Sequence, residues 1–508
     1  MVDKGNIVNM FDIFLPNWLA RCAENFPGHL AIRCGEISWT FAELDHQATR
    51  LARQLASLGI RKESRVALLA TNGLHYVVTV HALARLGAIL VPLNTRLTFE
   101  ELSWQICDIH ASHLVSDLFY ESIASHLAQA IPKLIEGILQ VDYTNNNVIL
   151  KNTDEDLNAP LRSLIDLSAT QAIMYTSGTT GNPKGVIITY GMQWWNAMGS
   201  ALNLGHHHDD RWLACLPLFH IGGLSILFRS VIYGISVILH EKFDAATVNT
   251  AIYEHHVTII SVVAVMLQRM LDDSEGQCYP SSLRCVLLGG GPISRLLLEN
   301  CVRRAIPVVQ TYGLTEACSQ AATLPPADAW RKLGSVGRPL PQVQLRIMNE
   351  DQPVTAGEAG TIYLKGPSIT PGYADRPEAT AQAIRDGWLS TGDIGYLDEE
   401  GYLYILDRRS DLIISGGENV YPAEIEAILL SHPAVAEAGV CGRTDAQWGQ
   451  VPIAFVCLHA GHDTNSEALL DYATQRLARY KVPRAIYLVD HLPRNASGKL
   501  LRRELYHR

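Results

Sequence analysis

Eleven consecutive residues, Tyr175 to Gly185, read "YTSGTTGNPKG" and hold three threonines, one serine, three glycines and a single lysine. They follow the apolar run "QAIM" (171–174). Glycines beside Ser and Thr after a buried strand leave backbone N–H groups and hydroxyls unobstructed, which is how a chain wraps a phosphate. Lys184 adds a point charge on a flexible stem. A plain surface turn needs far fewer special residues than this. The Walker pattern requires Gly before its lysine and Ser or Thr after it. Here Pro183 precedes Lys184 and Gly185 follows, and proline has no N–H to give. No "HRD" catalytic loop of the kinase kind accompanies it. The stretch reads as a phosphate loop, but not a P-loop.

Other segments complete the set. "QTYGLTE" (310–316) places Tyr312, Gly313, Thr315 and Glu316 within five residues. Tyr312 could cover a flat base, Thr315 could contact a phosphate, and Glu316 could hold Mg²⁺, which takes oxygen ligands and bridges phosphates. In "STGD" (390–393) the carboxylate of Asp393 could take both hydroxyls of a ribose. "GGGP", which is Gly289, Gly290, Gly291 and Pro292, lets backbone approach a planar ligand closely. Each is weak alone, since an aspartate in a turn is more often a cap than a ligand. "HHHDD" (206–210) invites a metal reading, but three adjacent histidines cannot all face one ion. It reads as a solvated turn, and no structural metal is assigned.

The elements that must carry these residues follow from hydrophobic patterning. "RVALLA" (65–70) leads to "LHYVVTVHALARLG" and then "AILVPLN"; "LRCVLLGGG" (283–291) leads to "PISRLLLENCVRRA" and "IPVVQTYG". Strand, helix, strand at this spacing argues for largely parallel sheets covered by helices. Around residue 357 the texture changes to short strands joined by Gly and Asp turns, as in "GEAGTIYLKGP" and "GWLSTGDIGYLDEEGYLYILD", which predicts antiparallel pairing. The charged "DRRSD" (407–411) then precedes a new α+β pattern, so the predicted domains are residues 1–408 and 409–508. At 508 residues the chain is too long for one core. Its net charge of −10, with no run of basic residues, argues against a nucleic-acid surface. Ten scattered cysteines without a C-x-x-C pair fit a reducing compartment. The N-terminus shows no signal-peptide pattern, and no apolar run reaches the ~20 residues that span a bilayer. The expectation is a cytoplasmic protein without a membrane span, and a homo-oligomer stays open.

Taken together and in this order, with "PLFH" (217–220), "DRRSDLIISGGENVYPAEIE" (407–426) and "PRNASGK" (493–499), the motifs resemble the adenylate-forming superfamily of acyl-CoA synthetases, luciferases and nonribosomal adenylation domains. The resemblance covers nearly the whole chain. Within the superfamily, "DRWLACLPLFHIGGLSILFRSVIYG", "LLGGGPISRLLLE", "YGLTEACSQ" and "LLSHPAVAEAGVCG" are similar to the o-succinylbenzoate–CoA ligase family. The implied fold is α/β: a large N-terminal domain of mixed parallel sheets packed with helices, a β-barrel-like subdomain, and a small mobile α+β C-terminal domain. Two positions depart from the pattern. Gly222 stands where a serine is expected, and Ser410 where many relatives place an aspartate or lysine at the interdomain hinge.

The resemblance implies a two-step ligation with ATP, Mg²⁺ and CoA. A carboxylate attacks the α-phosphate, releasing pyrophosphate, and CoA thiolate then displaces AMP from the acyl-adenylate. Joining two anions requires charge to be neutralised and the partners held in line. Thr176, Ser177, Thr179, Thr180 and Lys184, with Gly178 among them, would grip the β- and γ-phosphates, and Glu316 would hold Mg²⁺. Lys499 would serve the α-phosphate and acyl carboxylate; composition alone would make it a solvated C-terminal lysine. Asp393 and Arg408 would share the ribose, and Gly416–Gly417 would flank the pantetheine arm. Rotation about Arg409–Ser410 would present Lys499 and the glycine pair in turn. His220 is placed at the acyl pocket, with Gly289, Gly290 and Ser261 as further lining. Arg229, a charge inside the apolar run "LSILFRSVIYG", would meet the substrate's ring carboxylate directly or through a water. A ligase for another aryl or medium-chain acid, or a nucleotide-binding sensor on the same fold, are the alternatives. A degenerate copy should have lost Lys184, Glu316, Asp393 or Lys499, and all four are present.

Overall fold

The structure, a computed structural model, describes residues 13–142, 146–176, 183–274, 276–290, 293–350, 352–408, 413–415, 418–420, 422–445, 448–477, 479–495, 498 and 500–505. The β-branched runs form two large sheets. The first has seven strands in the order Lys184–Thr189, Thr170–Thr176, Ile89–Pro92, Arg65–Leu69, His113–Asp117, Ile135–Asp142 and Asn147–Leu150. It is parallel inside and antiparallel at both edges. The second has nine, with Val308–Leu314, Cys285–Leu288, Ile259–Val262, Arg211–Ala214, Ser236–Leu239 and Leu30–Cys34 running parallel through its middle.

Both sheets are buried on two faces, and the period of two along each strand sorts side chains between separate cores. Val66 and Leu68 face the layer between the sheets, whereas Ala67 and Leu69 face outward to the helices Phe99–Asp108 and Glu121–Ala130. Likewise Trp212, Ile259 and Leu287 point inward, while Leu213, Ile260 and Leu288 meet the helices Ala245–Glu254, Ala264–Asp273 and Arg295–Arg303. The shared layer holds the helices Phe41–Ser57, Leu74–Leu86 and Ile221–Tyr233. Every residue of Leu74–Leu86 except His75 is buried, as a helix between two sheets must be. It stops at Gly87, whose φ of 68° is the left-handed conformation that glycine adopts without a Cβ clash.

The antiparallel strands of the half-barrel begin at Gln344, earlier than the texture change near 357. Six strands centred on Gly360–Lys365 and Trp388–Leu397 form a curved half-barrel sheet over a small core that includes Leu345, Ile347, Ile362, Leu364 and Leu403. A further, five-stranded sheet, from Ile413 to Leu488, has apolar clusters of its own on either side and makes a separate C-terminal domain. Residues 409–412 lie outside the described residues, so the boundary after residue 408 stays a proposal.

One side chain stitches the two large sheets together. Asn72, just past the strand Arg65–Leu69, donates to Leu216 O and accepts from Leu218 N, both at 2.9 Å. It thereby pins the loop that leads into His220.

Candidate active site

The strands on either side of the phosphate-loop segment, Thr170–Thr176 and Lys184–Thr189, pair antiparallel at the edge of the seven-stranded sheet. Thr176 and Lys184 are their last paired residues. Ser177, Gly178, Thr179 and Thr180 lie outside the described residues. The strand entering the loop is anchored from the side: the Tyr175 hydroxyl donates to Asp108 Oδ2 at 2.7 Å, and Arg376 bonds the other oxygen of that carboxylate. Lys184 Nζ sits 5.3 Å from the centre of the Tyr373 ring, a cation–π distance.

Glu316 arises from the nine-stranded sheet. The strand Val308–Leu314 turns through the short 3₁₀ segment Thr315–Ala317 and returns antiparallel as Ser319–Leu324. Only glycine fits at 313, because a Cβ there would lie 1.6 Å from Ser319 O. The turn is closed by Cys318 and Ser319 at φ of 54° and 93°. Non-glycine residues at positive φ cost ~1–3 kcal/mol and persist only where surroundings impose them. Glu316 Oε1 accepts from the Tyr373 hydroxyl at 3.1 Å, and its backbone carbonyl accepts from Thr370 N at 2.8 Å. Mg²⁺ is commonly held by one or two carboxylates plus phosphate oxygens and water, and Glu316 offers one carboxylate whose Oε1 is oriented by the Tyr373 hydroxyl.

The candidate nucleoside side draws on residues far apart in the sequence. Tyr312 donates its hydroxyl to Asp393 Oδ2 at 2.6 Å, and Asp393 is paired in register with Arg408 on the next strand. The Arg408 side chain, Gly291, Pro292, Gly416, Gly417 and Lys499 lie outside the described residues. Gly290 has φ of +81°, and with Gly289 it follows the strand Cys285–Leu288, beside Val263 and Thr311.

At the candidate acyl end, His220 occupies the N-cap position of the helix Ile221–Tyr233 and is half-buried. Burial, and then the charge of Arg96, push its pKa down to about 4, so the ring is neutral at pH 7. Its Nε2 has no partner among the described residues. A Cβ at Gly222 would make only an ordinary 3.7 Å contact with Leu216, so glycine is not sterically required there. Arg229, on the same helix, is 2% exposed. Its Nη2 donates to Asn196 Oδ1 at 2.7 Å, and its guanidinium lies 5.3 Å from the Trp212 ring centre. Trp212 Nε1 in turn donates to Ser261 Oγ at 2.9 Å, and Asn196 Nδ2 donates to Ala317 O and Gln320 O. Arg229 and Ser261 are thus brought together, and the same network reaches the backbone beside Glu316.

With this geometry in view, similarity decides the family. The AMP-binding enzyme family matches residues 19–374, and the AMP-binding enzyme C-terminal domain matches residues 424–499. The chain belongs to the AMP-binding enzyme family. It is 52% identical to the 2-succinylbenzoate–CoA ligase of Geobacillus kaustophilus and 48% identical to that of Bacillus cereus strain ATCC 10987, over 97% of this chain in each case and 97% and 98% of those proteins. The solved o-succinylbenzoate CoA synthetase from Bacillus subtilis, in complex with its acyl-adenylate intermediate, superposes with a TM-score of 0.89 at 45% identity. That match covers 97% of this chain and 98% of the other. The adenylate-forming resemblance and the α/β fold with a separate C-terminal domain are therefore correct.

Several residues of this candidate site carry little signal in the sequence. Tyr373, Thr370, Asn72, Asn196 and Trp212 each touch a candidate residue or its loop. "GY" at 372–373 beside a proline was the one available signal. Nothing local marks the two asparagines, whose partners stand 33 to 168 positions away.

Proposed function

We infer that the chain is an ATP-dependent ligase that converts 2-succinylbenzoate to 2-succinylbenzoyl-CoA through an acyl-adenylate, releasing pyrophosphate and AMP, in menaquinone biosynthesis. Full-length relatives at 48% to 52% identity are named for that ligation, and the Bacillus subtilis structure is described with ATP and magnesium ion.

Each step falls to residues already named. Tyr312 and Asp393 seat the nucleoside, with Arg408 beside them. The loop from Thr176 through Ser177, Thr179 and Thr180 to Lys184 holds the β- and γ-phosphates, the part that leaves. Mg²⁺, when bound, offsets charge on the phosphates, and Glu316 supplies its carboxylate ligand. Lys499 reaches the α-phosphate and acyl carboxylate in the first step. Gly416 and Gly417 border the pantetheine arm in the second, after the C-terminal domain has turned about residues 409–410. Neutral His220, with Gly289 and Gly290, lines the acyl pocket without adding a charge that would compete for the reacting carboxylate. The chemistry consumes ATP and CoA, and all ten cysteines are free thiols, which supports a cytoplasmic setting.

The observation that carries the substrate is Arg229. Taking a guanidinium out of water costs several kcal/mol unless an anion compensates. Its described neighbours are neutral: an asparagine, an indole and the Tyr233 and Cys318 side chains. One hydrogen bond and one cation–π contact leave Nε without an acceptor. An acid with a second carboxylate completes that site, directly or through a water. AMP formation with ATP and CoA across a panel of carboxylic acids tests the reading. Preference for a simple fatty or aryl monoacid would replace 2-succinylbenzoate as the substrate, and no AMP with any acid would favour a nucleotide-binding sensor.

A further inference from the structure

The segment Thr370–Ala374 runs along the outer edge of the strand Lys184–Thr189. Ala374 N donates to Gly185 O at 2.8 Å, Ile187 N to Gly372 O at 3.1 Å, and Thr370 Oγ1 to Ile187 O at 2.7 Å. Tyr373 N is fixed in turn by Thr380 Oγ1 at 2.9 Å. This strap spans the seam between the two large sheets, because Thr370 N also holds the Glu316 carbonyl at 2.8 Å. Tyr373 projects from the middle of it, with its hydroxyl on Glu316 Oε1 at 3.1 Å and its ring 5.3 Å from Lys184 Nζ.

We propose that Tyr373 is a positioning residue that sets the Glu316 carboxylate and the Lys184 ammonium for the metal–nucleotide complex, one through its hydroxyl and the other through its ring. The proposal rests on the roles given above to Glu316 and Lys184. Its physical basis is that both contacts are neutral. A phenol O–H orients a carboxylate without cancelling its charge, and an aromatic face seats an ammonium without neutralising it. Neither contact cancels the charge it holds, and each reduces the freedom of its group, which lowers the ordering cost when a ligand arrives. A carboxylate or an amine at position 373 would instead pair with one group and repel the other. The two groups come from different sheets, so a single residue bonded to both fixes their relation across the seam.

The two contacts separate by substitution. The full chain is titrated with α,β-methylene-ATP in EDTA by calorimetry, and the resulting complex is titrated with Mn²⁺ followed by electron paramagnetic resonance. Tyr373→Phe keeps the ring and loses the hydroxyl. It should weaken Mn²⁺ binding by about tenfold, the size of one hydrogen bond to a charged group, while nucleotide affinity in EDTA stays within about twofold. Tyr373→Leu should weaken both. Equal losses in both arms for Phe and Leu, or no loss in either, overturn the proposal; if Tyr373→Leu does not fold, unchanged Mn²⁺ affinity in Tyr373→Phe does so alone. Glu316→Gln and Lys184→Ala separate the two levels of the argument. If neither moves its own arm, the assignment of the site is wrong; if both do and the Tyr373 variants do not, only the role of Tyr373 is wrong.

Discussion

Tyr312 and Asp393, 81 positions apart, meet in a 2.6 Å hydrogen bond with the phenol as donor. The bond joins the nine-stranded sheet to the half-barrel sheet, and Asp393 is only 7% exposed. Asp393→Ala should therefore weaken ATP binding far more than it alters the KM for the acid. Tyr312→Phe should cost about tenfold in ATP affinity, one hydrogen bond to a charged group. Calorimetric Kd values for ATP decide it, and an unchanged Kd in Asp393→Ala removes Asp393 from the ribose site.

The two half-reactions should part at the C-terminal domain. Lys499→Ala is expected to abolish adenylate formation, read as pyrophosphate release, yet still pass a supplied acyl-adenylate to CoA. Gly417→Leu is expected to do the reverse, because a bulky side chain blocks the pantetheine approach. Loss of the same half-reaction in both variants would mean that the domain presents one face, not two.

Arg229→Leu should raise KM strongly for 2-succinylbenzoate and much less for an analogue lacking the ring carboxylate. The variant also strands Asn196 Oδ1, whose partner is lost, at a cost of ~1–3 kcal/mol in stability. The comparison between the two acids cancels that general loss. Equal KM increases would make Arg229 a structural residue.

Acid should destabilise the fold through two histidines. Burial lowers His81 to about 4, aided by Arg85, and lowers His220 to about 4, aided by Arg96. Unfolded histidine titrates near ~6.5, so between the two values the unfolded chain binds more protons and stability rises with pH. The contribution is fully present above the unfolded value and is lost as pH falls from about 6.5 towards 4, by up to about 3 kcal/mol per residue. His81→Gln should flatten part of the Tm decline across that window. A Tm profile as steep as the parent's would show that His81 does not drive it.

Much of this architecture was written locally. The alternation in "RVALLA" and "LRCVLLGGG" assigns side chains to opposite cores because a strand has a period of two, and glycines and hydroxyls in "YTSGTTGNPKG" mark a loop that must leave its backbone open. What stayed hidden depends on approach between distant segments. Tyr373 gains meaning only because its strap lies along the strand after the phosphate loop. Arg229 could be flagged as a charge in an apolar run, but its indole neighbour and its asparagine come from other elements. The onset of the half-barrel was placed too late, since Gln344–Asn349 precedes the Gly-rich turns that signal hairpins.

The amide of Asn72 ties the loop before His220 to the neighbouring sheet through one donor and one acceptor at 2.9 Å. The wall proposed for the acyl pocket is therefore held to the neighbouring sheet by two hydrogen bonds from a single side chain. Selectivity among acids in such a vessel comes from the shape and charge of its lining. A laboratory effort to retarget the enzyme is best aimed at the proposed lining residues His220 and Arg229, with Asn72 left untouched.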